Sequence, residues 1–174
     1  MLGVSLKPLG IEYLTDISIA GLINQVQRLP DHFWDINRED LDDFEAFCQK
    51  MLEELVTQAA INIDNRKREL FNLIYTSNGT MPVQELSEKV YWSRRQINRY
   101  FNNTFGLALK TFCKIIRFRA SLSHIERGIL FPEQDFSDQS HFIKEIKKFA
   151  GVTPKKLADN KNDRFLQLSV FADY

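Results

Sequence analysis

Two short stretches carry side chains whose types and spacing suit hydrogen bonding to base edges. In Ser93-Arg94-Arg95-Gln96-Ile97-Asn98-Arg99-Tyr100-Phe101, Arg95, Asn98 and Arg99 share a helical face opposite Ile97, Tyr100, Phe101 and Phe105. In Asp138-Gln139-Ser140-His141-Phe142-Ile143-Lys144-Glu145-Ile146-Lys147-Lys148-Phe149, an apolar face of Phe142, Ile146 and Phe149 leaves Gln139, Ser140, His141, Lys144 and Lys148 largely outside. Arginine can bind guanine through two hydrogen bonds, asparagine can bind adenine in the same way, and a major groove admits an α-helix. Arg94, Lys147 and Lys148 suit phosphate, which positions a protein without reading sequence. His141 has two available roles, a base contact or a hydrogen-bonded structural histidine, and the structural role is the more common one for a lone histidine.

These side chains need helices that begin and end in the right places. Ser93 and Asp138 are natural N-caps, and Gly106 is a natural stop for the first helix. Ahead of Ser93, Pro82 suits a first helical turn, and Val83, Leu86 and Val90 form an apolar stripe before a break at Tyr91-Trp92. Two short helices joined by a tight break, the second presenting Arg and Asn outward, form a helix-turn-helix pattern. Leu107 to Arg127 reads as one long helix, with Phe112, Ile115, Ile116, Phe118, Ala120, Leu122 and Ile125 apolar and Lys110, Lys114, Arg117 and Arg119 basic. Gly128 ends it.

Upstream, residues 1–14 read as mostly extended, because Pro8 and Gly10 punctuate the apolar positions. Ser18 is expected to cap a short helix to about Arg28, with Ile19, Leu22, Ile23 and Val26 on one face. Asn37 is expected to cap a helix running to about Ala60, whose apolar positions from Leu41 through Val56 suit a core face or a dimer seam. Asn65 opens a further helix, and Thr76 to Thr80 is a turn.

A hydrophobic fraction of 44% with 14 Phe is enough for a packed core. No apolar run reaches the ~18–20 residues that span a bilayer, and the first residues lack the pattern of a secretory signal. Cys48 and Cys113 read as reduced thiols in a cytoplasmic protein. The formal net charge is zero, but residues 1–64 hold 4 basic and 12 acidic side chains, and residues 92–161 hold 14 basic and 6 acidic. An acidic and a basic region point to two functional parts, and the basic one is what a polyanion surface needs. There is no P-loop, Cys-x-x-Cys, Gly-x-Ser-x-Gly or two-histidine metal spacing, and His32, His124 and His141 lie in unrelated settings. Catalysis, metal binding and a cofactor are therefore not expected.

In residues 80–160 the chain resembles the AraC/XylS family of bacterial transcription regulators. The first block is Ser93-x-x-x-Ile97-x-Arg99-x-Phe101 with Gly106 behind it; the second is Arg117-Phe118-Arg119-Ala120. The third is Phe136-x-Asp138-Gln139-Ser140-His141-Phe142, then Lys147, then Gly151-x-Thr153-Pro154. The resemblance implies a mainly α fold, with two homeodomain-like helix-turn-helix units joined by a long linker helix. It also implies a sequence-specific regulator that inserts two recognition helices into successive major grooves of double-stranded DNA. Base-reading positions then fall on Arg95, Asn98, Arg99, Gln139, Ser140, His141 and Lys144, and phosphate contacts on Ser93, Arg94, Lys147 and Lys148. The implied organisation is a remnant of an N-terminal sensor or dimerisation domain at 1–62, the DNA-binding domain at 63–160 and a tail at 161–174. RNA polymerase and a second copy, through residues 38–60, are candidate partners, and no membrane is involved.

Two features depart from the family pattern. The stretch from Ile129 to Asp135 is shorter than the segment that normally holds a supporting helix, and Ala108-Leu109 replaces the usual proline and small polar residue. Residues 1–60 are short for a whole sensor, so a chain missing the front of that domain is expected. The apolar run Arg164 to Phe171 suits packing on the domain or on a partner. A helical protein-interaction module that kept the fold but lost DNA reading is the rival function.

Overall fold

The computed structural model describes residues 3–15, 17–31, 33–58, 62–131, 136 and 138–161. Among them the chain is mainly α, without strands. The helices are α1 (Pro8–Leu14), α2 (Phe44–Gln58), α3 (Asn65–Thr76), α4 (Val83–Lys89), α5 (Arg94–Phe105), α6 (Leu109–Glu126), α7 (Gln139–Ala150) and α8 (Pro154–Ala158). Two 3-10 turns, Phe33–Asp35 and Glu39–Leu41, precede α2. The expected end of α2 at 59–61, residues 132–135 of the shortened segment, and the apolar run 164–171 lie outside the described residues.

Three N-terminal expectations are corrected. Residues 8–14 are helical rather than extended, because Pro8 occupies the first turn, where its missing N–H costs nothing. Tertiary contacts hold this short helix: Leu9 packs on the core formed with α3 and α5, and Glu12 accepts hydrogen bonds from Lys67 and from the Tyr100 hydroxyl. No helix forms after Ser18. Turns close instead at Leu22 N–H to Ile19 O (2.9 Å) and Gln25 N–H to Leu22 O (2.9 Å), with Asn24 at φ 57°. Its four apolar residues diverge: Ile19 packs on the core, while Val26 is 99% exposed. Helix α2 begins at Phe44, not after Asn37. Asp43 Oδ1 accepts from the N–H groups of Glu45 (2.9 Å) and Ala46 (3.1 Å), whereas the Asn37 N–H donates to Asp40.

From α3 onward the local signals hold. Asp64 caps α3, and the Asn65 start and the turn near Gly79 are as expected. Thr153 caps α8 and Pro154 is its first residue, a short helix that the apolar periodicity alone does not predict.

Among the described residues, two apolar cores with no residue in common meet on α6. Leu109, Phe112, Cys113 and Ile116 bury against Leu70, Phe71 and Ile74 of α3, against Leu86 and Val90, and against Ile97, Phe101 and Phe105 of α5. Phe118, Leu122 and Ile125 bury against Phe142 and Ile146 of α7 and Leu157 of α8. At 3.6 residues per turn the step from Ile116 to Phe118 is about 200°, so the buried stripe changes to the opposite face in mid-helix. One continuous helix therefore carries a helical layer on each side.

Cys113 lies in the first core, and burial pushes its thiol up to about 11. Its share of stability is complete below the ordinary value of 9.0 and is lost as pH rises toward 11, because only the unfolded chain ionises in that window. A thiol reagent at pH 8 should modify the half-buried Cys48 in the native protein and Cys113 only after denaturant is added. Two fast thiols in the native state would contradict this packing.

Gly106 ends α5 at φ 68°, and a Cβ there would stand 1.9 Å from the Ala20 carbonyl oxygen. Gly128, at φ 78°, faces open space. Gly128→Ala should therefore cost about 1 kcal/mol from backbone strain alone. Gly106→Ala should cost at least about 2 kcal/mol, since the backbone at Ala20 must also move. Equal losses in chemical denaturation would refute the close approach.

Candidate nucleic-acid interface

The first candidate surface is built by α4, a tight turn and α5. Leu86 and Val90 anchor α4 in the core, and Val83 packs at its edge. The turn is held by the Ser87 hydroxyl, which donates to the Trp92 carbonyl (2.6 Å), and by Tyr91 at φ 54°. Ser93 then starts α5 with a capping box. Its Oγ accepts from the Gln96 N–H (3.2 Å), and its own N–H donates to Gln96 Oε1 (2.8 Å). The hydroxyl also donates to Gln96 Oε1 (2.8 Å), so the Ser93 side chain assigned to phosphate is engaged by its own helix.

With Ile97, Phe101 and Phe105 buried, Arg94, Arg95 and Arg99 are exposed. Asn98 is half-buried, and its Nδ2 donates to the Arg94 carbonyl (3.0 Å), leaving its amide already oriented along the helix. Arg99 borders a polar groove of about 390 Å³ shared with Arg66, Trp92, Gln96 and Asn103. Arg66, whose guanidinium lies 5.1 Å from the Trp92 ring centre, comes from α3. Sequence reasoning missed it because nothing within its own helix places it beside α5.

Behind α5, Tyr100 is turned inward. Burial, reinforced by its bond to Glu12, raises its hydroxyl above the ordinary tyrosine value, so it stays a protonated donor. The acidic N-terminal region thus contacts α5 through Glu12 at Tyr100 and through Ala20 at Gly106.

The second candidate surface is α7. Asp138 Oδ1 accepts from the His141 N–H (2.8 Å), and Gly151 ends the helix at φ 74°. Phe142 and Ile146 are buried and Phe149 packs beside them, while Gln139, Ser140, Lys144, Lys147 and Lys148 are exposed. His141 departs from the rest of the set. It is half-buried, its ring lies 5.8 Å from that of Phe136, and its Nδ1 is buried without a hydrogen-bond partner among the described residues. The ring is therefore partly withdrawn from the outer face by packing on Phe136, while its Nδ1 makes no hydrogen bond, among the described residues, of the kind a structural histidine is expected to make. Glu145 was not singled out, yet it is buried and accepts from Lys114 Nζ of α6 (2.6 Å). Arg117 of α6 donates through Nη2 to the Gly79 carbonyl (3.0 Å), and its guanidinium lies 5.9 Å from the Phe136 ring centre.

The arrangement offers two capped helices, one on each core, with exposed Arg and Lys that can meet a polyanion. No His, Cys, Asp and Glu side chains cluster to hold a metal ion among the described residues, and no described helix is long and apolar enough to cross a membrane. Compared with known proteins, the chain matches no family model, no curated protein and no solved structure.

Ser93→Ala removes one partner of the capping box and should cost about 1 kcal/mol in chemical denaturation. A loss below about 0.3 kcal/mol would mean that the cap does not define the start of α5.

Proposed function

We propose that this protein is a sequence-specific, double-stranded-DNA-binding transcription regulator of the AraC/XylS kind, acting in the bacterial cytoplasm. In this reading α4–α5 and the unit ending in α7 are two helix-turn-helix modules. Helices α5 and α7 enter successive major grooves. The observation that carries the reading is the sharing of α6 by two separate cores, each presenting one capped amphipathic helix with a cationic outer face.

The physical fit supports it. A helix with side chains is about 10–12 Å across, close to the width of the major groove. Arg95, Asn98 and Arg99, with Gln139, Ser140 and Lys144, are the proposed base readers; Arg94, Lys147 and Lys148 are the proposed phosphate contacts. His141 is assigned to support of α7 instead. A second copy is a proposed partner through α2, where Phe44, Leu52 and Val56 are 63%, 62% and 72% exposed at four- and eight-residue spacing. RNA polymerase remains a proposed partner in the regulator's action.

The test is selection from a randomised duplex library at several salt concentrations. The expected motif has two half-sites about 10 bp apart, and log affinity should fall with log salt by about 0.9 for each neutralised phosphate. Binding that is flat across sequences and insensitive to salt would favour the protein-interaction module instead.

Arg99→Ala should cost about 1–3 kcal/mol on the selected site and relax one base position. Lys148→Ala should weaken binding evenly across sequences and lower the salt slope by about 1. An unchanged motif for Arg99→Ala would remove Arg99 from the reading set.

A further inference from the structure

We propose that Arg117 is the positioning residue that sets the angle between the two helical units, and through it the separation of half-sites that the protein accepts. The inference rests on the DNA-binding reading above. Because the two cores share no residue, their relative setting depends on α6 and on the side chains that cross between them. The first-core face of α6 centres near Leu109 and Ile116, and the second-core face near Phe118 and Ile125. At 3.6 residues per turn Arg117 projects from the flank about midway between these faces.

Its contacts match that placement. On the first-core side, Nη2 donates to the Gly79 carbonyl at 3.0 Å. That anchor is tightly seated: a Cβ on Gly79 would lie 2.3 Å from the Cys113 carbonyl oxygen. On the second-core side, the guanidinium lies 5.9 Å from the Phe136 ring centre. Phe136 in turn sits 5.0 Å, edge-on, from Phe142 of α7. Arg117 thus links the turn before α4 to the first turn of α7, where Gln139 and Ser140 stand. The Lys114–Glu145 pair, 2.6 Å apart, ties α6 to α7 three residues further along the DNA-facing helix from Phe142. A planar guanidinium can donate in its plane and stack through its face, which a lysine ammonium cannot do.

Fixing this angle has a consequence on DNA. Adding one base pair between half-sites turns the second about 35° around the duplex, since one turn takes 10–10.5 bp. A rigid pair of helices cannot follow that rotation, whereas a loosened pair can.

The experiment uses the full chain and duplexes carrying the half-sites selected by the wild-type protein, with their separation changed by one base pair either way. The wild type should prefer one separation by about 5- to 150-fold, the usual range of coupling between two sites. Arg117→Met should keep the half-site sequences and the helix content by circular dichroism, yet bind the neighbouring separations within about twofold of the original. Arg117→Lys should restore only part of the preference. If Arg117→Met does not fold, Phe136→Leu carries the same expectation, because it keeps an apolar contact with Phe142 and removes the ring face. An equal loss of affinity at every separation overturns the positioning role, as does an unchanged preference; both leave the DNA reading intact. If the wild type selects no motif at any salt, the DNA reading fails and this inference fails with it.

Discussion

Helix α6 has to satisfy two hydrophobic neighbourhoods lying on opposite sides of it, and most of the molecule follows from that requirement. Leu109, Phe112, Cys113 and Ile116 cannot leave water unless α3, α4 and α5 gather on one side. Phe118, Leu122 and Ile125 cannot do so unless α7 and α8 gather on the other. Burying a large apolar side chain contributes about 1.5–3 kcal/mol, so each side of α6 gains several such terms only when its own layer is in place. A helix of 18 residues with no side-chain cap at its start is stabilised chiefly by this burial rather than by its ends.

The first layer is organised around Phe71. Its ring lies within 5.5–6.5 Å of Tyr100, Phe101, Phe105 and Phe112, mostly edge to face, which is the favoured approach of aromatic quadrupoles. These rings come from α3, α5 and α6, so the cluster fixes the roll of α5 about its axis. That roll decides which residues of α5 face water. With Ile97, Phe101 and Phe105 inward, Arg94, Arg95 and Arg99 are left outside. The chemistry of the outer face is thus a consequence of aromatic packing on the inner one. The second layer works the same way with fewer rings: Phe142 and Ile146 are inward and a lysine-rich face is outward.

The acidic N-terminal region is joined to the first layer by apolar packing of Leu9 and Ile19 and by polar and backbone contacts. Glu12 accepts from Lys67 and Tyr100, the Asp64 N–H donates to the Tyr13 hydroxyl (3.3 Å), and Ala20 presses on Gly106. A partly buried carboxylate shared by a cation and a phenol is held in place because separating it from either partner leaves a poorly solvated group. Much of the rest of this region faces a cavity of about 500 Å³ lined by uncharged, mostly apolar residues, with Phe33 stacked on Trp34 at 4.8 Å.

What the sequence by itself determined is what neighbouring residues decide among themselves. Ser93 with Gln96, and Asp138 with the His141 N–H, are interactions within one turn, so the starts of α5 and α7 were legible. So was the end of α5 at Gly106, where a positive φ favours glycine, and so were the inward and outward faces, which follow from helical periodicity. The misread N-terminus shows the opposite case. Pro8 and Gly10 looked like breaks, and α1 is held by Lys67 and Tyr100, more than fifty residues away. Only the tertiary structure could show that Glu145 is paired, since its partner Lys114 lies 31 residues back, or that Arg117 reaches Gly79, 38 residues back. It alone turned His141 toward Phe136 and brought Arg66 beside Arg99. The physical reason is the same each time: caps and periodicity act within a turn or two of chain, whereas burial and ion pairing depend on which distant element comes to lie alongside.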